Sequence, residues 1–303
     1  MDTDQVLGII KQVSADIVEP RFRALHEDEI DSKAPGDYVT VADREAERAL
    51  SQQLRAGARD AVVVGEEGSF VDPGQLDAIG VAPHCFVVDP LDGTNNFVRG
   101  SEDFAVMVAE LRGVETVGAW IYQPRAGKAY VATRGGGVYC NGERISAAPI
   151  HVPPQGASTF RAWRGFDEEG RIAPVIPASG SAGIDYPHVV TAAIDFVVYR
   201  FPSRGITCPA SSCCRSSAAT SCTWTDASTD RAAAGWRSCH VVTWRRAVAS
   251  PAAGRAASEP RVTASGLLPG AYSSGPTASG PPRADGPARV RGRHWRPRSK
   301  MAL

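Results

Sequence analysis

Cys85-Phe86-Val87-Val88-Asp89-Pro90-Leu91-Asp92-Gly93-Thr94-Asn95-Asn96-Phe97 sets an apolar run directly before two aspartates, a glycine and a threonine. The run Cys85–Val88 reads as a buried strand. The chain then leaves the strand end as a loop, the place where a rigid scaffold presents functional groups. About twenty residues upstream the pattern repeats, with Ala61–Val64 as a second buried strand ending on Gly65-Glu66-Glu67-Gly68. Two neighbouring strand ends can converge Glu67, Asp89 and Asp92. Three carboxylates repel unless a cation neutralises them. Oxygen ligands with no His or Cys close by suit Mg²⁺. Gly93 and Thr94 then open a short helix at Asn95–Val98, whose free N–H groups suit phosphate. Metal, phosphate cradle and hydroxyl together make a hydrolase arrangement. Read alone, Asp-x-x-Asp-Gly is only an Asp-Pro turn followed by an Asx turn, so the surrounding chain has to decide.

Working outward, Val6, Ile9, Ile10, Val13 and Ile17 recur at helical spacing, which predicts an amphipathic helix over roughly residues 3–27. Thr40 is placed to cap a second helix through Arg55, with Ala42, Ala46, Leu50 and Leu54 on one face. Phe104–Leu111, Val117–Tyr122 and Lys128–Thr133 read as successive strands, with turns at Arg112–Gly113 and Pro124–Gly127. Tyr186–Ile194 reads as a helix and Phe196–Tyr199 as a strand. The mixture predicts an α/β or layered α+β fold. Trp120, Tyr122, Cys85 and Cys140 read as core residues, and His84 and His188 as packed or surface histidines.

Gly-Glu-Glu at 65–67, followed by Asp89-Pro90-Leu91-Asp92-Gly93-Thr94-Asn95-Asn96-Phe97, resembles the inositol monophosphatase family of Mg²⁺-dependent, often lithium-sensitive phosphatases. Asp37-Tyr38-Val39-Thr40-Val41-Ala42-Asp43 resembles that family's Asp-x-Val-Thr-x-x-Asp segment. Tyr122-Gln123-Pro124 and Gly137-Val138-Tyr139-Cys140-Asn141-Gly142 resemble its later markers, and Gly180-Ser181-Ala182 and Asp195-Phe196 its substrate-side segment. The resemblance runs in order over residues 5–200. It implies a layered α/β/α/β/α fold, of which the chain encodes the first sheet and part of the second, and two or three Mg²⁺ ions in an intact member. Glu67, Asp89, the Leu91 carbonyl and Asp92 are then the expected metal ligands, with Glu66 adjacent but not a direct ligand. Gly93 and Thr94 are expected to hold phosphate with Asp92, and Gly180, Ser181 and Ala182 to face substrate. The Thr94 hydroxyl is expected to pair with Asp43 and, together with Glu67, to serve the attacking water. Lys33 lies near a basic position in the family's first loop, although a solvated surface lysine reads equally well. The implied substrate is a small polyol or sugar phosphate, and a homodimer is possible.

Formal net charge is zero over 303 residues, and that average conceals a division. Residues 1–200 carry a net −11; residues 201–303 carry 15 basic and four acidic residues, a net +11. Val, Leu, Ile and Phe number only ten in that second part, too few to offset ordering entropy. The expected organisation is therefore a domain over 1–200 and a low-complexity basic tail over 201–303, without native structure after about residue 203. Seven cysteines and no secretory leader argue against a disulfide framework and point to the cytoplasm. No apolar run of roughly 18 residues is present, so no spanning helix and no membrane partner is expected.

The family pattern next requires Trp-Asp about ten residues after Asp195, where this chain reads Ser203-Arg204-Gly205-Ile206-Thr207-Cys208. Reading the third base of each codon with the first two of the next, Gly205–Pro209 permit Trp-Asp-His-Leu-Pro, and Arg215–Ala219 permit Pro-Glu-Leu-Gly-Gly. A one-base shift between about Tyr199 and Arg204 accounts for the composition of the tail. The sequence thus supports three readings: a phosphatase, an impaired frameshifted member lacking one metal carboxylate, and non-specific polyanion binding through the tail. No specific nucleic-acid partner is expected.

Overall fold

The computed structural model describes residues 1–146, 148–199, 219–225 and 239–245, the last two segments by their backbone. Contacts divide the chain into Met1–Ala257, which holds every described element, and Ser258–Leu303, outside the described residues. The Trp-Asp position and nearly all of the basic tail likewise lie outside them.

Helix α1 spans Thr3–Val13, capped by a reciprocal Asp2–Gln5 box. The single helix expected to reach residue 27 instead loosens into a π-turn at Ser14–Val18 and a 3-10 turn at Glu19–Arg21. Pro20 has no N–H to offer the preceding turn, so the α ladder cannot continue through it. A small hairpin, β1 (Ile30–Ala34) and β2 (Asp37–Thr40), leads into α2 (Val41–Gly57).

The first sheet has seven strands in sequential order: β3 Val62–Gly65, β4 His84–Asp92, β5 Ala105–Arg112, β6 Glu115–Gln123, β7 Lys128–Thr133, β8 Gly137–Cys140 and β9 Glu143–Arg144. Only β3 and β4 run parallel. Two short helices come after the parallel strands, α3 (Glu66–Val71) and α4 (Thr94–Val98). Alternate strand residues serve different cores. Phe86, Val88, Val106, Val108 and Trp120 pack under α1 and α2, against Val6, Ile10, Ala46, Leu50 and Leu54. Trp120 is fully buried, and its Nε1 donates to the Thr3 carbonyl at 3.1 Å. Ala105, Met107, Ala119 and Ile121 face the other way, onto α5 (Ala182–Val190). Tyr122 and Cys140 are only partly buried.

Helix α5 lies between this sheet and a second one, ordered β11 (Ile176–Pro177), β10 (Gly156–Ser158), β12 (Phe196–Tyr199), β14 (Cys239–Arg245) and β13 (Ala219–Thr225). Within the basic tail two strands are therefore described, the first with three Thr and a Trp, the second with two Val, a Thr and a Trp, residue types that suit a pleated strand. Among the described residues the layers are helix, sheet, helix, sheet. The outer face of β12 is covered by Phe160, Trp163 and Phe166 of an irregular segment, packed on Phe196 and Val198. Helix α5 starts four residues earlier than the expected Tyr186. Pro187 lies inside it and cannot donate to the Gly183 carbonyl, which instead accepts from Gln123 Nε2 at 2.8 Å. No helix among the described residues is long and apolar enough to cross a membrane.

Candidate active site

The site lies where β3 and β4 end. In a regular strand, residues three apart point to opposite faces. Asp89 pairs with Met107 and Asp92 with Ala105, so one extra residue bulges out between them. The bulge returns both aspartates to the face shared by Met107 and Ala105. Gly93 then turns the chain with φ +87°, and a Cβ there would stand 2.9 Å from the Asp103 carbonyl. Only glycine meets both requirements.

Thr40 and Asp43 form a capping box at the start of α2: Thr40 Oγ1 accepts from the Ala42 N–H, and Asp43 Oδ2 accepts from the Thr40 N–H at 2.8 Å. Thr40 Oγ1 also donates to that oxygen at 2.6 Å. The cap leaves Asp43 Oδ1 facing α4, where it accepts from Thr94 Oγ1 at 2.9 Å. The Leu91 carbonyl lies 3.0 Å from the same hydroxyl. One hydroxyl proton cannot serve both acceptors at once. Burial raises the Asp43 carboxyl to about 6, against the pull of its Thr40 and Thr94 hydrogen bonds.

Glu67 stands in the first turn of α3, and its backbone N–H donates to Glu47 Oε2 at 2.7 Å. Its carboxylate accepts from Lys33 Nζ at 2.6 Å, and Lys33 also reaches Glu66 at 3.2 Å. Lys33 is thus no solvated surface lysine; its side chain is 6% exposed. Burial alone lowers its pKa, but the charges and hydrogen bonds of Glu66 and Glu67 outweigh that and hold the ammonium above the usual lysine range. Burial raises Glu67 to about 7 despite Lys33.

Asp92 is held from the opposite side by the first turn of α5. Its Oδ2 accepts from the Gly183 N–H at 2.7 Å and from Ser181 Oγ in a very short contact. The Ala182 N–H adds a third bond. Ser181 and Ala182 are themselves buried, so the structure turns them onto Asp92 rather than onto an open substrate surface. Gly180, at φ +87°, packs against Asn96, whose Nδ2 ties the Asp103 and Ser179 carbonyls at 2.8 and 3.0 Å. A Cβ on Gly183 would overlap Ala105 Cβ and crowd Asp92 Oδ2. Gly183→Ala is therefore expected to destabilise the fold by about 1–3 kcal/mol. A denaturant midpoint unchanged from the parent would show that α5 can retreat freely.

Asp89 differs from its neighbours: it is fully buried, and neither carboxylate oxygen finds a hydrogen bond of good geometry. Burial, followed by the charges of Glu66 and Asp92, holds its pKa well above the aspartate range. Among the described residues no three His, Cys, Asp or Glu side chains close into a ready metal cage. Lys33 draws Glu67 one way and α5 draws Asp92 the other. The donor chemistry still fits a hard divalent cation, since the orphaned Asp89 oxygens, the Leu91 carbonyl and the two flanking carboxylates are all oxygens. Acids whose folded pKa is raised contribute stability fully below their unfolded values, 3.8 for Asp43 and 4.5 for Glu67. That stability is lost as pH climbs through about 6 and about 7, respectively. Deprotonation also readies Glu67 for metal. The melting-temperature gap between Mg²⁺ and chelator is thus expected to widen from pH 5 to pH 8. A constant gap, followed by circular dichroism, would contradict this.

The model of the inositol monophosphatase family matches residues 3–199. The chain belongs to that family. A protein of Rhizobium meliloti named inositol-1-monophosphatase is 38% identical over 117 residues, 39% of this chain and 42% of its own length. The chain thus spans about two fifths of the curated relatives it matches. Among solved structures, a Thermotoga maritima IMPase superposes with a TM-score of 0.64 at 22% identity, covering 80% of this chain and 91% of its own. An IMPase/NADP phosphatase complexed with Mg²⁺ and phosphate gives 0.63 at 18% identity, over 79% and 87%. At such identities the likeness is one of fold.

In this inositol monophosphatase family member, two residues of the site escape a reading by motif. Glu47 carries a signal that could have found it, since it stands four residues after Asp43 and so on the same helical face. Gly183 carries none, because its role depends on how closely α5 approaches the sheet.

Proposed function

We propose that the chain is built to hydrolyse a phosphate monoester of a small polyol or sugar, of the inositol 1-phosphate type, with Mg²⁺. The observation that carries this reading is the hydrogen bond from Thr94 to the buried Asp43, placed beside an Asp89 carboxylate without a partner. Glu67, Asp89, the Leu91 carbonyl and Asp92 are the residues that would hold the cation. A cation held by these residues would supply a lowered pKa for the attacking water and an offset to charge on the departing oxygen. Thr94 Oγ1 donates its hydrogen bond to Asp43 Oδ1 and so turns a lone pair toward the attacking water; as the water's proton moves to Oγ1 the hydroxyl proton moves on to Asp43, one proton in all, and the departing alkoxide takes its proton from solvent water. The Gly93 and Thr94 N–H groups hold the phosphate in line; phosphoryl transfer needs positioning and charge neutralisation rather than a protein nucleophile. Ser181, Ala182 and Gly183 keep Asp92 in place.

Phosphate release from inositol 1-phosphate, histidinol phosphate and a sugar bisphosphate, with Mg²⁺ and with chelator, tests the proposal. Mg²⁺-dependent release from at least one supports it; none from any, with folded protein, sinks it. One observation favours a second reading: the segment after Asp195 lacks the family's Trp-Asp. An impaired, frameshifted member would bind Mg²⁺ yet turn over little. Resequencing codons 195–210 separates the two, since an extra or missing base restores the full site and an unchanged sequence leaves the chain without that carboxylate.

A further inference from the structure

Helix α2 does more than present Asp43. One turn on, the Glu47 carboxylate reaches the start of α3, where Oε2 accepts the Glu67 N–H at 2.7 Å and Oε1 accepts the Gly68 N–H at 2.8 Å. Glu47 is partly buried, and burial pushes its carboxyl up while these two bonds pull it back down. Room for it exists only because residue 65 is glycine; a Cβ there would overlap the Glu47 carboxyl group. The N–H groups at the start of α3 have no partner within that helix, so Glu47 supplies what the helix cannot. Fixing the N–H of Glu67 and of the next residue fixes the direction of the Glu67 Cα–Cβ bond. The side chain therefore leaves the backbone toward Lys33 and the site rather than toward solvent.

Resting on the metal-site reading above, we propose that Glu47 is a positioning residue that sets the Glu67 carboxylate for a divalent cation. One rigid helix then spaces both halves of the site, Asp43 against Thr94 and Glu47 against the Glu67 turn. Residues that orient a metal ligand typically carry about 10- to 100-fold in metal affinity.

Mn²⁺ binding to the full chain, read from the paramagnetic resonance of the free ion, tests this without relying on turnover. Glu47→Gln removes one acceptor, and Gly65→Ala displaces the carboxylate from the other side. Each is expected to weaken Mn²⁺ binding about 10- to 100-fold while melting within a few degrees of the parent in chelator. In a Glu67→Gln background, Glu47→Gln is expected to cost nothing further, because the two changes act through one ligand. Parent-like affinity in both variants overturns the proposal. So does a Glu47→Gln loss of equal size with Glu67 already removed. Failure of both variants to fold assigns Glu47 a purely structural role and also overturns it. A parent chain that binds no Mn²⁺ instead overturns the metal-site reading, and this proposal with it.

Discussion

Asp89→Asn is expected to raise the melting temperature of chelator-treated protein by a few degrees and to abolish Mg²⁺-dependent phosphate release. The two effects have opposite signs because the same charge is costly without a cation and essential with one. Asp89 is fully enclosed, its oxygens lack hydrogen bonds of good geometry, and Glu66, Asp92 and Asp43 all oppose its ionisation. Asparagine keeps the shape and removes the charge, and its amide has Glu66 close by as an acceptor. Removing a charge that burial and three like charges disfavour relieves the folded state of that cost. Loss of the ligand removes several kcal/mol of transition-state stabilisation, on the order of 10³-fold in rate. Melting curves with and without Mg²⁺, alongside phosphate release, check both signs. If the variant melts lower in chelator and keeps its Mg²⁺ shift, Asp89 is a structural residue.

Thr94→Ala is expected to lower turnover by roughly 10²- to 10⁴-fold, the usual range for a lost proton-transfer group, while leaving Mg²⁺ binding near that of the parent. The alanine keeps the backbone N–H groups and removes only the hydroxyl that Asp43 accepts. Thr94→Ser restores the hydroxyl and should recover most of the rate. Asp43→Asn is less clean, because Asp43 also accepts the Thr40 N–H in the capping box of α2. It should lose turnover, while its stability change sums a weakened cap and the relief of a buried charge. Steady-state kinetics with calorimetric Mg²⁺ titration separates these outcomes. Equal turnover in Thr94→Ala and parent would remove the hydroxyl from the reaction.

Local pattern makes much of the fold legible. Lys128–Thr133 and Phe196–Tyr199 are strands at the boundaries their alternation predicts, and Thr40 caps α2 as expected. Boundaries move where one residue overrides the pattern: Pro20 breaks up the first helix, and Pro187 lies inside α5 without ending it. The sequence by itself determined which residues carry the chemistry, because Glu67, Asp89, Asp92 and Thr94 follow apolar runs that can only be buried, although the segment expected to leave as a loop after Val88 stays paired to Asp92 as the bulged end of β4. Tertiary structure alone decided how they face one another. A single-residue bulge turns Asp89 and Asp92 to one side, Lys33 and Glu47 fix Glu67 from elements far away in the chain, and α5 clasps Asp92 across 91 residues of sequence. Such contacts depend on the close approach of packed layers, which composition and spacing along one chain do not encode locally.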